Sequence, residues 1–244
     1  MSKLYEYLKT EEIRNYHILN LLKKFDDYDY VLDDNFCIIR IKKCIDDHYD
    51  GIYIPYNCEY ISEKAQNFIR NSDEMFCTID EKFHNLIEND FELEWSEECY
   101  QFAFKGKEIS NNSDCYTISH INLKDIDTVD KLWTYHDFYT KNYITNLVNN
   151  GNSSAIYIDK QIAGWCLIHN DGSLGTLFVK EEFRGLGLAE KLLKYNTEKM
   201  ITDKIFPFFF TVHNNNASIS LAKKIGFEKI AKVYWCGIIN RSKQ

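Results

Sequence analysis

Proline is scarce in this chain: its 244 residues include two prolines and ten glycines, and no Pro/Gly/Ser-rich stretch marks a linker. No apolar run reaches the ~20 residues of a membrane-spanning helix, and IFPFFF at 205–210 is only as long as a strand. The N-terminus also lacks the long apolar core of a secretory signal. These absences predict a cytoplasmic protein with no membrane partner.

Paired cysteines are missing as well. The chain has eight cysteines but no CxxC pair, and no Cys, His or carboxylate cluster has the spacing of a metal site. Most of the cysteines lie in or beside apolar, strand-like stretches such as NFCIIRI and AGWCLI. The sequence therefore predicts buried, reduced thiols and no metal.

Charge is distributed unevenly around a net value of −8. Residues 1–125 contain 14 Lys/Arg and 26 Asp/Glu, whereas residues 126–244 contain 15 and 11. The acidic first part argues against nucleic acid as a partner. The mildly basic second part would tolerate an anionic ligand.

The chain is long enough for two small domains. From residue 116 onward, the patterns follow the order strand–helix–helix–strand–strand–strand–helix–strand–helix–strand, which predicts a mixed α/β fold. Residues before 116 show a fainter version of that order. We therefore predict an N-terminal α/β domain over 1–115 and a second domain over 116–244, related by an ancient tandem duplication. The polar cluster SNNSDC at 110–115 is the expected boundary.

Residues 182–193 read EFRGLGLAEKLL and place Gly185 and Gly187 at the start of a predicted helix, after a strand that ends at Val179. N–H groups at a helix start lack intrahelical partners, and glycine lets the backbone come close to a phosphate. A tight strand-to-helix turn needs the same glycines, so the pair alone leaves both interpretations open. A Walker loop would need Gly-Lys-Ser/Thr, and a dinucleotide loop would need a glycine in place of Glu190.

The segment LFVKEEFRGLGLAEKLL resembles the central motif of the GNAT (Gcn-related N-acetyltransferase) superfamily, Gln/Arg-x-x-Gly-x-Gly/Ala. Arg184, Gly187 and Ala189 occupy its defining places. The block NNASISLAKKIGFEKI at 215–230 is similar to the superfamily's Asn-x-x-Ala/Ser-x-x-Leu-Tyr-x-Lys-x-Gly-Phe. The resemblance covers about 116–244 and is greatest to the glycine N-acyltransferase-like branch.

This resemblance implies a GNAT-type fold in the C-terminal half, a degenerate GNAT-like copy in the N-terminal half, and acetyl-CoA or another acyl-CoA as co-substrate. Strand residues near Leu177 would pair with pantetheine, the loop would hold the diphosphate, and an N–H near Val179 would stabilise an oxyanion. The implied CoA-binding residues are Leu177, Phe178, Val179, Arg184, Gly185, Leu186, Gly187, Leu188, Ala189, Asn215 and Ser218. For Asn215, a helix cap is the alternative role.

The chain departs from the family pattern at two catalytic places. Ala222 stands where many members have a tyrosine that protonates the departing thiolate, and the central strand offers Ser173 and Gly175 where a carboxylate is common. His213 is the candidate base, because a free imidazole titrates near neutrality. Tyr234 is the candidate acid. The alternatives are a surface histidine and an ordinary aromatic strand residue.

We therefore expect an acyl-CoA-dependent N-acyltransferase that acts on a primary amine of a small molecule or amino acid. The alternatives are a catalytically impaired CoA-binding protein and a protein N-acetyltransferase. CoA and a small amine are the expected partners, and the chain would be a monomer or homodimer.

Overall fold

The structure is a computed structural model that describes residues 3–33, 36–45, 47, 49–56, 63, 67–68, 75–78, 81–90, 92–106, 109, 116–135 and 139–238. The predicted boundary at 110–115 lies outside these residues, so the division at 115/116 stays a prediction. Among the described helices, none combines the length and apolar character that a membrane crossing requires.

The described helices run over Lys3–Lys9 (α1), Tyr16–Lys24 (α2), Glu81–Asp90 (α3), Ile126–Lys131 (α4), Thr140–Asn149 (α5), Leu188–Thr202 (α6) and Asn216–Ile225 (α7). The strands are Tyr28–Asp33 (β1), Phe36–Ile45 (β2), Tyr49–Ile54 (β3), Met75–Thr78 (β4), Leu93–Phe104 (β5), Ile118–Ser119 (β6), Ser153–Ile158 (β7), Gln161–Ile168 (β8), Leu174–Val179 (β9), Phe208–Val212 (β10) and Phe227–Ile238 (β11).

The chain divides into two compact units. Unit 1 comprises Met1–Gln101, Thr211–Asn215 and Lys229–Gln244, and unit 2 comprises Phe102–Phe210 and Asn216–Glu228. Strands β5, β10 and β11 each contribute residues to both units.

Unit 1 contains a mixed sheet in the order β1-β2-β3-β4-β11-β5. Strands β1, β2 and β3 are antiparallel neighbours, β4 runs parallel to β3, and β11 runs antiparallel to β4. β-Branched residues favour the long strand β2, and its Ile38 packs with Ile52 and Phe83 in the core of the unit. The segment ISEKAQNFIR at 61–70, whose sequence predicts a helix, falls largely outside the described residues.

Unit 2 contains the strands in the order β5-β10-β9-β8-β7-β6, with β5 represented by residues 102–104. Each of the strands β6, β7 and β8 runs antiparallel to the next strand in the chain, and β10 runs parallel to β9. The N–H of Phe104 donates to the carbonyl of Pro207 at 3.0 Å, so a strand that begins in the N-terminal half extends this sheet beyond β10.

Helices cover the unit 2 sheet on both faces. Trp165 and Leu167 of β8 pack with Ile144 of α5 and with the rest of the apolar residues of α4 and α5. On the other face, Asn196 of α6 donates to Ser154 Oγ at 2.6 Å. Alternation of side chains along β8 therefore separates the α4/α5 face from the α6 face.

The two halves repeat one order of elements. In the first half, two helices precede three antiparallel strands and a strand parallel to the third, followed by α3 and β5. In the second half, α4 and α5 precede β7, β8 and β9, then α6 and the parallel strand β10, followed by α7 and β11; the first-half segment that corresponds to α6 lies largely outside the described residues. The mixed α/β fold is confirmed, and this shared order supports the predicted duplication.

The hairpin turn and the cysteines have the local structure that their sequence favours. The hairpin turn at Asp159–Lys160 has positive φ at both residues, as a two-residue turn between twisted strands requires. The described cysteine side chains are buried free thiols, as expected: Cys37, Cys44, Cys99, Cys166 and Cys236. Within the described residues, no group of three or more His, Cys, Asp or Glu side chains could hold a metal ion.

Candidate functional site

The glycine loop joins β9 to α6 in unit 2. The N–H of Lys180 donates to the carbonyl of Ala163 at 2.9 Å, which fixes the end of β9, and a 3-10 turn over Glu181–Phe183 follows. Gly185 and Gly187 then adopt φ of 82° and 76°, the left-handed region that favours glycine. The backbone conformation alone therefore favours glycine at both positions.

The loop presents a row of backbone donors. Arg184 is the last loop residue whose N–H donates to a backbone carbonyl. The next residue along the chain whose N–H does so is Lys191, which donates to the carbonyl of Gly187 at 3.1 Å. In this described segment, the N–H groups of residues 185–190 have no recorded acceptor. The positive end of the α6 dipole adds to their potential.

The space in front of these donors is open. A Cβ built on Gly185 or Gly187 would meet no heavy atom within 4 Å. The Arg184 side chain is exposed, and within the described residues it forms no recorded ion pair. The residues present therefore fit an anionic group such as a diphosphate.

Glu190, in the first turn of α6, is the acidic group nearest in sequence to this row of donors. Its carboxylate lies 2.9 Å from Nζ of Lys194 and 2.5 Å from Nζ of Lys224 on α7. The hydrogen bond from Lys224, followed by that from Lys194, lowers the pKa of Glu190. The negative charge next to the loop is thus balanced by two cations.

Strand β9 is irregular in its middle. Gly175 pairs with Leu167 and Phe178 with Trp165, so Thr176 and Leu177 together lie opposite the single residue Cys166 of β8. Thr176 has φ of 48°, the left-handed conformation that glycine adopts in a G1 β-bulge. Beyond the bulge, Leu177, Phe178 and Val179 are half-buried, whereas the facing strand β8 is buried almost throughout.

The remaining predicted CoA-binding residues lie at or near the start of α7. Asn215 is exposed and its N–H donates to the carbonyl of Val212 at 3.0 Å; this residue belongs to unit 1. Ser218 is half-buried in the first turn of α7, in unit 2.

The predicted base and acid, His213 and Tyr234, both lie in unit 1 near Glu98. His213 is exposed, and its Nδ1 lies 3.3 Å from the carbonyl oxygen of Glu98. A carbonyl can only accept, so Nδ1 carries a hydrogen and the lone pair of a neutral imidazole is on Nε2.

Tyr234 is buried and belongs to a charged cluster. Its ring stacks on His84 with centroids 4.4 Å apart, and its hydroxyl lies 3.5 Å from a Glu98 carboxylate oxygen and 3.3 Å from Nζ of Lys232. Lys232 also pairs with Glu98 at 3.2 Å. Burial raises the pKa of Tyr234, so the phenol keeps its proton at neutral pH.

The two departures from the family pattern have defined surroundings. Ala222, which stands in the place of the missing tyrosine, is fully buried on α7. Ser173 is buried, and its hydroxyl donates to Asp171 Oδ1 at 2.6 Å. Gly175 lies against the imidazole of His169, and a Cβ there would meet His169 Nε2 at 2.1 Å.

His169 is the residue that the sequence predictions missed. It follows β8 and lies within reach of Tyr143 on α5 and Thr176 on β9. The sequence contains one indirect indication of this contact: Gly175 is a glycine at a central strand position that could bear a side chain. A single histidine after a strand belongs to no sequence motif that would identify the residue it contacts.

Comparison with family models matches residues 152–236 to the FR47-like protein family, which is GNAT-related. This match covers the bulged strand, the glycine loop and the second block. No similar protein was found among curated protein sequences.

Several solved structures share the fold across most of the chain. A Drosophila protein aligns over 98% of this chain and 97% of its own at 13% identity, with a TM-score of 0.77. An acetyltransferase of the GNAT family from Novosphingobium aromaticivorans, described as putative, aligns over 86% and 91% at 12% identity, with a TM-score of 0.58. A tandem GNAT protein from the clavulanic acid biosynthesis pathway aligns over 92% and 87% at 11% identity, with a TM-score of 0.52.

At these identities the likeness shows the fold alone. It confirms the resemblance to GNAT acetyltransferases that the two sequence blocks indicated. Placement in the glycine N-acyltransferase-like branch stays a prediction.

Proposed function

We propose that this chain, which has the fold of the GNAT acetyltransferases, is an acyl-CoA-dependent N-acyltransferase that acetylates a primary amine of a small molecule or amino acid. The observation that carries the proposal is the row of open N–H groups over residues 185–190, preceded by the exposed Arg184. These groups would bind the diphosphate of CoA.

Charge at the loop supports this assignment. Glu190 would repel a diphosphate if its charge were uncompensated, but Lys194 and Lys224 both contact its carboxylate. With Arg184 and Lys191 added, the start of α6 has a positive balance. Such a site attracts an anion most strongly at low ionic strength.

The half-buried stretch Leu177–Val179 supports binding of the pantetheine arm. Unit 2 places β10 beside β9, with Phe209 opposite Leu174 at the start of β9. Beyond that pair, the bulge at Thr176 turns the strand, and the following residues keep part of their surface accessible. Backbone groups there would pair with an extended amide-containing ligand as an added strand does.

When bound, acetyl-CoA would supply a thioester carbonyl that an amine can attack. An N–H near Val179 would stabilise the oxyanion that develops there. His213 and Tyr234 stay proposals for the base and the acid. Nε2 of His213 has the lone pair a base needs, and Tyr234 has the proton an acid needs.

The second candidate is a CoA-binding protein without transferase activity, which the burial of Ala222 and the lack of a side chain at Gly175 favour. A third candidate, a protein N-acetyltransferase, shares the CoA-binding loop and differs only in the acceptor.

The experiment is thiol release from acetyl-CoA across a panel of amino acids, small amines and lysine-containing peptides, together with calorimetric titration of CoA. Transfer to a small amine is the expected result. CoA binding without turnover on any acceptor would favour the second candidate, and turnover restricted to peptides would favour the third. Absence of CoA binding would overturn the loop assignment itself.

A further inference from the structure

The imidazole of His169 lies directly over the backbone of Gly175 in the α/β unit that carries the glycine loop. A Cβ on Gly175 would lie 2.1 Å from His169 Nε2 and 2.2 Å from Cδ2, so the ring fills the place of that side chain. This is the central-strand position where the GNAT resemblance leads one to expect a carboxylate. A titratable group from the end of β8 therefore occupies the place left empty on β9.

Two hydroxyl groups contact this ring. The Tyr143 hydroxyl lies 3.0 Å from Nδ1, and the Thr176 hydroxyl lies 3.5 Å from Nε2. The Tyr143 ring stacks parallel to the imidazole at 6.0 Å, and Trp133 meets it edge-on at 5.7 Å. The 3.0 Å contact with the Tyr143 hydroxyl and the two ring contacts fix the orientation of the imidazole, and the longer contact leaves Nε2 beside the Thr176 hydroxyl.

The environment favours the neutral imidazole. Burial lowers the pKa of His169, and the nearby Asp171 opposes that shift. The recorded titratable groups around the ring are Asp171 in the β8–β9 turn and Tyr143 on α5. Asp171 Oδ1 already accepts hydrogen bonds from the N–H and hydroxyl of Ser173. A neutral histidine can accept a proton at pH 7.

Thr176 connects this ring with the proposed site. It is the extra residue of the β-bulge, directly before the half-buried stretch Leu177–Val179 that would pair with pantetheine. The bulge gives Thr176 a positive φ and places its hydroxyl beside His169 Nε2. Bulges next to active sites commonly redirect a side chain in this way.

We propose that His169 accepts the proton that the acceptor amine loses, relayed by the hydroxyl of Thr176. This inference rests on the proposed acyltransferase function and assigns its base to unit 2, in place of His213. His169 acts through Thr176 and is therefore a positioning and proton-accepting residue, while the Thr176 hydroxyl is the group that meets the amine.

The amine, Thr176, His169, Tyr234 and solvent account for every proton in this step. The amine nitrogen forms its bond to the acyl carbon, and the carbon–sulfur bond breaks with its electron pair on sulfur. The nitrogen passes a proton to the Thr176 oxygen as the Thr176 proton moves to His169 Nε2. The imidazolium then returns its proton to solvent, and the thiolate takes a proton from solvent or from Tyr234, the proposed acid.

The first test compares His169→Gln with His120→Gln. Both histidines lie in unit 2 and each makes a hydrogen bond through Nδ1, but His120 contacts only the backbone carbonyl of Ser153 in the recorded bonds. We expect His169→Gln to lower kcat by about a hundredfold and to remove the acidic limb of the pH–rate profile. His120→Gln keeps both, and both variants bind CoA as the wild type does by calorimetry.

The second test uses Thr176→Val and Thr176→Ser. Valine keeps the branched shape at this strained backbone position but removes the hydroxyl, whereas serine restores a hydroxyl. We expect kcat to fall in the valine variant and to recover in the serine variant, with the Michaelis constant for acetyl-CoA changed little in either.

The third test needs no turnover. In the protein without CoA, nuclear magnetic resonance should show the His169 imidazole titrating below about 6.5, and Gly175→Ala should displace the ring and move that titration toward the ordinary value. An imidazole that is protonated at pH 7 would overturn the inference. So would a His169→Gln enzyme with wild-type kcat and an intact acidic limb, and that result would leave the proposed function standing. A wild-type protein that binds CoA but acylates no amine would overturn both.

Discussion

Oε2 of Glu190, in the first turn of α6, lies 2.5 Å from Nζ of Lys224, near the end of α7. The sequence alone made Glu190 look unsuited to a phosphate loop, because its charge would oppose that of the ligand. The structure shows that a residue 34 positions later in the chain provides the compensation. Lys224 belongs to the second GNAT-like block, so the two blocks meet at this ion pair.

This relationship predicts that Lys224 acts on CoA affinity through Glu190. Replacing Lys224 with Gln leaves Glu190 with Lys194 as its remaining recorded cation, and the carboxylate then repels the diphosphate more strongly. Because the Lys224 side chain is mostly exposed, we expect a loss of about fivefold in affinity at low salt, decreasing as salt screens the charges. Calorimetric titration of CoA at two salt concentrations measures it.

A double-mutant cycle identifies the route of that effect. If Lys224 acts by neutralising Glu190, the Lys224→Gln change should have little effect in a Glu190→Gln background. An equal loss in both backgrounds would show instead that Lys224 contacts the ligand directly.

Alanine substitutions at two glycines distinguish the effect of backbone strain from the effect of ligand contact. Gly187 in the loop and Gly151 after α5 have φ of 76° and 75°, and a Cβ on either would meet nothing closer than 4.0 Å. Alanine at each position should therefore cost about 1–2 kcal/mol of unfolding free energy for the left-handed backbone. Only Gly187→Ala should also weaken CoA binding, by tenfold or more, because its Cβ enters the space proposed for the diphosphate.

Chemical denaturation gives the stability of the two alanine variants, and calorimetry gives their CoA affinity. Equal CoA affinities in Gly187→Ala and Gly151→Ala would count against the diphosphate site.

The order of elements in the second half was predictable because its patterns are local. Alternating apolar residues predict β8, and the apolar spacing over 216–225 predicts a helix that coincides with α7. Short-range patterns are less reliable where tertiary contacts decide the outcome. The stretch YTISHINL at 116–123 has the pattern of a strand, but only Ile118–Ser119 form one. FELEW and CYQFAFK, which resemble two short strands, form the single strand β5.

Helix faces were predicted only in part. The spacing of Leu188, Leu192, Tyr195 and Met200 predicts one buried stripe on α6; Leu188, Leu192 and Met200 are buried, but Tyr195 is exposed, so that part of the prediction is wrong. Asn196 and Thr197 are buried with them because their side chains bond to Ser154 and to the helix backbone. Hydrophobic periodicity carries no information about such polar contacts.

The candidate site was predictable where a motif specifies it and unpredictable where it depends on distant contacts. The motif locates the glycine loop because the positive φ of Gly185 and Gly187 favours glycine there. The contact between His169 and Gly175 depends on how the β8–β9 turn returns the chain, and the bulge at Thr176 depends on pairing with β8. Neither this contact nor the bulge can be predicted from a short stretch of sequence.

Tyr234 can be tested by removing one oxygen atom. Its hydroxyl makes only long contacts, at 3.3 and 3.5 Å, and the stacking of its ring on His84 would survive in Tyr234→Phe. We expect a stability loss below about 1 kcal/mol. If Tyr234 donates a proton during transfer, kcat should fall by about a hundredfold with CoA affinity unchanged.

Tyr30→Phe is the matched control for the Tyr234 variant, because Tyr30 is an exposed strand tyrosine of the same unit. A Tyr234→Phe protein with the kcat of this control would remove Tyr234 from the proposed chemistry and leave it a packing role beside His84.

His169 also predicts how stability depends on pH. Its pKa in the folded protein is lowered, chiefly by burial, from about 6.5 in an unfolded chain. Between those two values the unfolded state binds more protons than the folded state, so the free energy of unfolding decreases as pH falls through this window. Above about pH 7 the His169 contribution is fully present. His169→Gln has no such group, so its unfolding free energy should depend less steeply on pH below 6.5.

Urea denaturation of the wild type and His169→Gln at a series of pH values measures this difference, with His120→Gln as the control for loss of a histidine in the same unit. The difference in unfolding free energy between the wild type and His169→Gln should decrease as the buffer is made more acidic. The difference between the wild type and His120→Gln should stay constant. A constant difference across the series would mean that His169 titrates as a solvated histidine does. In that case the ring could not be the group that Tyr143, Trp133 and Gly175 hold neutral, and the assignment of the base to unit 2 would fail with it.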